Sequence, residues 1–214
     1  MTPASVISDV RRLIQDTREP VRYSDTELLG YVNQTLKRMA MLRPDLFIVT
    51  GTITVVPNQN RQLIPSNASR LVEIFSNVNG NAIEEVNRDV FDRAYPNWPL
   101  DPPGSPTKYI RHTRNPKAFF LYPAPQASFQ LMADYVVSPP NYTLLQTIQN
   151  PSAEYYPVIV DGTVFLAEST DNEHVSTGRA KLFFDAFVQG LGVSSQARIM
   201  TDTESGGLGA SPES

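Results

Sequence analysis

A chain of 214 residues, 41% apolar and 19% charged, can bury a sizeable core and fits one large domain or one domain carrying a substantial insertion. Its net charge of −4 argues against a protein that grips nucleic acid by its phosphates, which takes clustered Lys and Arg. The absence of cysteine excludes a disulfide framework and any thiolate metal site.

The opening MTPASVISDVRRL lacks the long apolar core of a signal peptide. No stretch reaches the roughly 18 apolar residues of a membrane span, so the chain is expected to be soluble. Helix one is expected over 3–16, with Thr2 as N-cap and Pro3 at the first helical position. Val6, Ile7, Val10, Leu13 and Ile14 make its apolar stripe. Helix two opens on a capping box, Ser24 with Glu27, and runs to about Leu42 before Pro44 stops it.

The texture then changes. The run 47–56, FIVTGTITVV, is rich in β-branched residues and reads as a strand, with a shorter one at 61–65. The segment 70–86 reads as a hairpin around Asn79-Gly80, a pair suited to a type I′ turn. Asn87 is placed to cap a short helix, and a proline-rich loop follows at 96–106. Further strands are expected at 108–113, 117–122 and 128–137.

The late apolar run PSAEYYPVIVDGTVFLAEST, 151–170, could be a strand on composition. Val158, Ile159, Gly162, Phe165 and Leu166 nevertheless repeat the spacing of helix one, which favours a buried helix over about 156–169. Gly162 costs about 1 kcal/mol against Ala in a helix interior, which makes sense if another backbone packs closely there. The last helix is expected over 173–199, with Val175, Leu182, Phe183, Ala186, Phe187 and Leu191 on its inner face. The closing TDTESGGLGASPES cannot bury enough apolar surface to offset its ordering entropy and is expected to be disordered in the isolated chain.

Amphipathic helices at both ends cannot bury their stripes alone. The fold expected is α+β: a four-helix bundle of the N- and C-terminal helices, with a β-rich, sandwich- or barrel-like domain inserted between helices two and three. The boundaries expected are 1–44 with 152–200 for the bundle, 45–151 for the insertion and 201–214 for a flexible tail.

Catalytic chemistry is hard to find. His112 reads as a surface strand residue, and His174 lies beside Asp171 and Glu173 at what looks like an acidic helix start rather than a metal site. The glycines at 206–209 are flanked by no strand and helix, so they make no phosphate loop. Glu84 and Glu85 could be a carboxylate pair, but neighbours on a strand point to opposite faces. No catalytic residue, cofactor or metal is expected. Candidate partner contacts are Trp98, which reads either as a core plug or an anchor, the locally basic Arg111, Arg114 and Lys117, and Thr201, Asp202, Leu208 and Ser214 in the tail.

The order of motifs across residues 5–195 resembles that of tailed-phage head-to-tail adaptor proteins. The motifs are GTITVVPNQNRQLIPSNASRLVEIF, EEVNRDVFDRAYPNWP with Tyr95-Pro96-x-Trp98, FFLYPAP with Tyr122-Pro123-x-Pro125, YVVSPP, the helix bearing Asp161, and RAKLFFDAFVQGLG. The resemblance implies a structural subunit with no catalytic residues. It implies a ring of this chain, expected to hold twelve copies, between the portal protein and a tail tube or nozzle protein in the virion neck. It also implies genomic DNA passing through without specific binding, no membrane, synthesis in the host cytoplasm, and a C-terminal extension, here 201–214, reaching into the portal. The alternative reading is a β-rich carbohydrate- or protein-binding module of a tail or cell surface, working through the 96–106 loop. A carboxylate hydrolase built on Glu84 and Glu85 is a third.

Overall fold

A computed structural model describes residues 1–78, 80–170 and 177–192. The chain is mixed α and β, and it divides into two compact units: Met1–Leu46 with Pro139–Ser214, and Phe47–Ser138.

The first unit holds four of the five α-helices found among the described residues: α1 (Pro3–Ile14), α2 (Asp25–Leu42), α4 (Tyr156–Thr170) and α5 (Thr177–Gly190). Both early helices start where local chemistry dictates. The Thr2 hydroxyl accepts from the Ser5 N–H while the Ser5 hydroxyl accepts from the Thr2 N–H. The Ser24–Glu27 box closes in the same reciprocal way. α1 ends two residues before 16, where Gln15 adopts φ 59.

α4 is the axis of this unit. Val158, Ile159, Val160, Gly162, Thr163, Val164, Leu166, Ala167 and Glu168 are all buried, which leaves little of its circumference open. Burying each Val or Ile side chain contributes about 1.5–3 kcal/mol. Tyr156 donates to Asp9 Oδ2 at 2.6 Å and to the Ser5 carbonyl at 2.9 Å, which ties α4 to α1. Thr163 Oγ1 meets Thr35 Oγ1 of α2 at 3.4 Å, and the Tyr23 hydroxyl donates to the Ala167 carbonyl at 2.8 Å. On the α5 side, a Cβ built on Gly162 would lie 2.7 Å from Phe187 Cδ2, and one on Gly190 would lie 2.7 Å from Val158 Cγ2. Gly162 therefore sits where the helix is crowded, by the side chains of Thr35 and Phe187 rather than by the expected neighbouring backbone. Early and late helices thus share one apolar interior.

Four expectations change in this unit. Leu182 is 66% exposed, on the outer face of α5, while Ala180, Phe187 and Leu191 face inward. Leu13 is 43% exposed beside α4. Phe165 is only half-buried, its ring tilted against Phe184 at 5.0 Å and under the Arg38 guanidinium. Finally, residues 139–151 belong to the helical unit and not to the β-rich one. They carry no periodicity; polar bonds hold them. Asn33 of α2 donates to the Tyr142 carbonyl at 3.1 Å and accepts from the Tyr142 N–H at 2.8 Å, while Ala4 and Ile148 exchange backbone bonds with Leu144 and Met1.

Among the described residues the second unit contains seven strands, one short α-helix and a 3-10 turn at Trp98–Leu100. Strands β1 (Ile48–Thr54), β7 (Gln130–Val137) and β3 (Ala68–Asn77) form one sheet, with β7 central and both pairings antiparallel. Strands β2 (Arg61–Leu63), β6 (Ala118–Tyr122), β5 (Lys108–Arg111) and β4 (Glu84–Glu85) form the other, in the order β2-β6-β5-β4. One apolar core joins them, with Ile53, Leu71, Ile74, Leu131 and Ala133 from the first sheet and Tyr109, Phe119 and Leu121 from the second. α3 (Arg88–Ala94) is capped by the Asn87 side chain, as expected.

The hairpin expected over 70–86 forms only at its tip. β3 stops at Asn77, Ser76 bridges Ala82, the Asn77 N–H donates to the Asn81 carbonyl and the Ile83 N–H to the Phe75 carbonyl, and Glu84–Glu85 then pair in parallel with Lys108–Tyr109 in the other sheet. Ile83 plugs the shared core, and Lys108 and Arg111 neutralise the two glutamates, which draws the strand across. Gly80 takes φ +132, a region that favours glycine; Asn79 lies outside the described residues.

Candidate functional site

Among the described residues no group of His, Asp and Glu could hold a metal, and no helix is long and apolar enough to cross a membrane. Glu84 pairs with Lys108 at 2.8 Å. Glu85 accepts from Tyr109 Oη at 2.8 Å and pairs with Arg111 Nε at 2.7 Å. Both carboxylates are occupied by neighbours on exposed strand ends, an arrangement suited to pinning β4 rather than to proton transfer. His112 organises a turn: its Nδ1 accepts from the Arg114 and Asn115 N–H groups at 3.2 and 3.1 Å, and its ring stacks on Phe120. His174, the glycines at 206–209, and Thr201, Asp202, Leu208 and Ser214 lie outside the described residues.

The two proline-aromatic motifs, far apart in sequence, come together. Phe91 and Tyr122 ring centroids lie 5.0 Å apart, Trp98 and Phe120 5.9 Å, and Trp98 and Tyr122 6.3 Å. Trp98 is 4% exposed and donates Nε1–H to Asp92 Oδ1 at 2.7 Å. That bond holds the Asp92 carboxyl below the ordinary carboxylate range. The loop is also zipped to the second motif, since the Gly104 N–H donates to the Ala124 carbonyl and the Gln126 N–H to the Gly104 carbonyl. Trp98 thus takes the core role, and the indole is not available to stack on a sugar. The apolar side chain this loop does present is Leu100, 85% exposed, which sequence reading missed because a leucine beside prolines looks no different from a core residue. We expect Trp98→Ala to cost about 3–5 kcal/mol, read as a fall in the denaturation midpoint of the Phe47–Ser138 unit.

The basic residues do not form one patch. Arg111 is spent on Glu85, whereas Arg114 and Lys117 are exposed on the turn that His112 and Asn115 organise. That turn is rigid: the Pro116 and Lys117 carbonyls accept from Leu71 and Ile64 N–H groups at 3.0 Å each.

The helical unit carries a groove of about 450 Å³ lined by Asp9, Arg12, Leu13, Tyr156, Pro157, Val160 and Asp161. Asp9 is satisfied by Tyr156 and by an ion pair with Arg12, and the Tyr156 hydroxyl bond holds its carboxyl below the usual range. Asp161 differs. It has no hydrogen-bond or ion-pair partner among the described residues, and burial alone raises its carboxyl above the ordinary value. In the sequence Asp161 only marks the late apolar helix among the family motifs; a lone acid inside a buried helix was the available signal. Deeper in the unit, buried Glu168 lies 3.8 Å from both Arg22 and Arg179, and Arg179 also donates to the Leu13 carbonyl.

A raised carboxyl penalises its charged form. The Asp161 penalty is complete above the folded-state value and vanishes below the unfolded one. Asp161→Asn should therefore raise the melting temperature at neutral pH, and the gain should disappear as pH falls below the ordinary aspartate range. Thermal melts of both proteins across pH check this.

A search of curated proteins finds no match. A family model described as SU10 adaptor protein matches residues 1–207, nearly the whole chain. That match, over nearly the whole chain, identifies the chain as a member of the SU10 adaptor protein family of phage proteins.

Proposed function

We propose that this chain is a head-to-tail adaptor subunit of a virion neck, whose copies close into a ring, expected to be twelvefold, between the portal and a tail tube or nozzle. In this reading α1, α2, α4 and α5 form the bundle that gives each subunit its rigid wedge. The strands carried between α2 and α4 present loops to neighbours or tail proteins. The family match over residues 1–207 carries the reading.

The charge distribution supports it. Genomic DNA must pass a neck without being held, and a net charge of −4 with Arg111 paired to Glu85 disfavours tight phosphate contacts. Arg114, Lys117 and Leu100, on two rigid loops, are the contacts we assign to neighbouring proteins. Residues 201–214 are assigned to the portal side.

The test is co-sedimentation with portal rings, using the full-length chain and a truncation after Met200, with electron microscopy of the pellets. Binding as a closed ring is the expected result, with weaker binding by the truncation. Absence of binding by the full-length chain would overturn the adaptor role. Equal binding by both would remove only the portal contact assigned to 201–214.

A further inference from the structure

Two surface features of the helical unit complement each other, although within the chain Arg12 already pairs with Asp9 and Arg179 of α5 donates to the Leu13 carbonyl. The first is the α1–α4 groove. Leu13, 43% exposed, and Val160 form its apolar part, with the unpartnered Asp161 on one side. Across it stands Arg12, whose side chain is 72% exposed and which pairs with Asp9. The second is the outward face of α5. Ala180, Phe187 and Leu191 are buried, which turns Lys181, Leu182 and Asp185 to the exterior. Lys181 and Asp185 lie one turn apart, about 6 Å along the axis, side by side next to Leu182.

We propose that α5 of one copy docks in the α1–α4 groove of the next, with Leu182 against Leu13 and Val160, Lys181 at Asp161, and Asp185 at Arg12. The proposal rests on the ring reading and names the contact that would build it. A half-exposed leucine alone is commonplace. Here a cation, Lys181, is offered to Asp161 and an anion, Asp185, to the exposed Arg12, each beside an apolar side chain. The groove and the knob are different surfaces of one subunit, so the contact is heterologous, and repetition closes a ring when the rotation fits. It also explains why an acid sits unpaired on a mostly buried helix: its partner arrives with the neighbouring copy. Lysine reaches such a site with its aliphatic stem along apolar surface and its ammonium on the carboxylate.

The chain is free of cysteine, so engineered thiols report the contact cleanly. The full-length double variant Leu13→Cys/Leu182→Cys, assembled on portal rings and oxidised, should give a ladder of disulfide-linked multimers well beyond the dimer. Equimolar mixing of the two single variants should stop at dimers. Separately, Asp161→Lys should lower ring formation by about tenfold, and adding Lys181→Asp in the same chain should restore it. A melt of each variant establishes that it is folded. Rings that assemble without any ladder would overturn this contact while leaving the adaptor reading intact. Dimers alone from the double variant would mean a closed two-fold contact and would overturn it too. No ring under any condition would remove both.

Discussion

Gly162→Ala should destabilise the protein by about 1–3 kcal/mol, even though alanine is the better helix former by about 1 kcal/mol. A Cβ at Gly162 would lie 2.6 Å from Thr35 Cγ2 of α2 and 2.7 Å from Phe187 Cδ2 of α5. Neither atom can retreat cheaply: Thr35 is 1% exposed and its side chain is short, and the Phe187 ring is 3% exposed. The overpacking penalty therefore exceeds the propensity gain. A shift of 1 kcal/mol moves the melting temperature by roughly 2–4 °C at this size, so a fall of several degrees is expected. Gly30 supplies the control. It also lies inside a helix, but a Cβ there meets nothing within 4 Å. Gly30→Ala should stabilise by up to about 1 kcal/mol. The same substitution thus takes opposite signs at two helical glycines, and thermal melts of the pair check it.

The second large effect is loss of folding on placing a charge at the centre of α4. Ile159 and Val164 are both 0% exposed, and Ile159 is among the largest fully buried side chains. Ile159→Asp would place a carboxylate in a fully buried apolar position, at a cost of about 4 kcal/mol or more, a large fraction of a typical domain's stability. Insoluble or non-cooperative protein is the expected outcome. Phe165→Asp should be milder. Phe165 sits at the rim, half-buried against Phe184 and with Arg38 above its ring, so a new carboxylate there has water and a guanidinium nearby. A soluble Phe165→Asp beside an unfolded Ile159→Asp is the expected contrast in circular-dichroism melts.

The elements legible in the sequence were those set by local chemistry. Ser24 and Glu27 announce α2 because the box satisfies two backbone donors within four residues, and Asn87 does the same for α3. The apolar periodicity of 156–169 identified α4, and the crowding at Gly162 followed from it. What escaped is set by tertiary partners. β3 pairs with β7 through three register shifts, so its inward residues no longer alternate and its edges blur. Glu84–Glu85 joined the far sheet because Lys108 and Arg111 lie there, which no local turn signal encodes. Segment 139–151 has no hydrophobic period, and its place is set by distant partners, Asn33 of α2 and the backbone of Met1 and Ala4, more than a hundred residues away. On α5, consecutive apolar residues from Leu182 to Phe184 left the inward face ambiguous, and packing against α4 resolved it through Phe187 and Leu191.

Trp98 shows the limit for interaction surfaces. Its type suggests an anchor, its Nε1–H binds Asp92, and the exposed apolar side chain of the same loop is Leu100. Residue type alone does not separate these roles; burial does.

The central structural claim is that helices from both ends of the chain form one cooperative interior. Native-state hydrogen exchange in increasing denaturant tests it most directly. Amides of Val10, Leu36 and Val164 should open together, in a single global step with one free energy and one denaturant slope. Opening of α1 and α2 at a distinctly lower free energy than α4, with a separate slope, would contradict it.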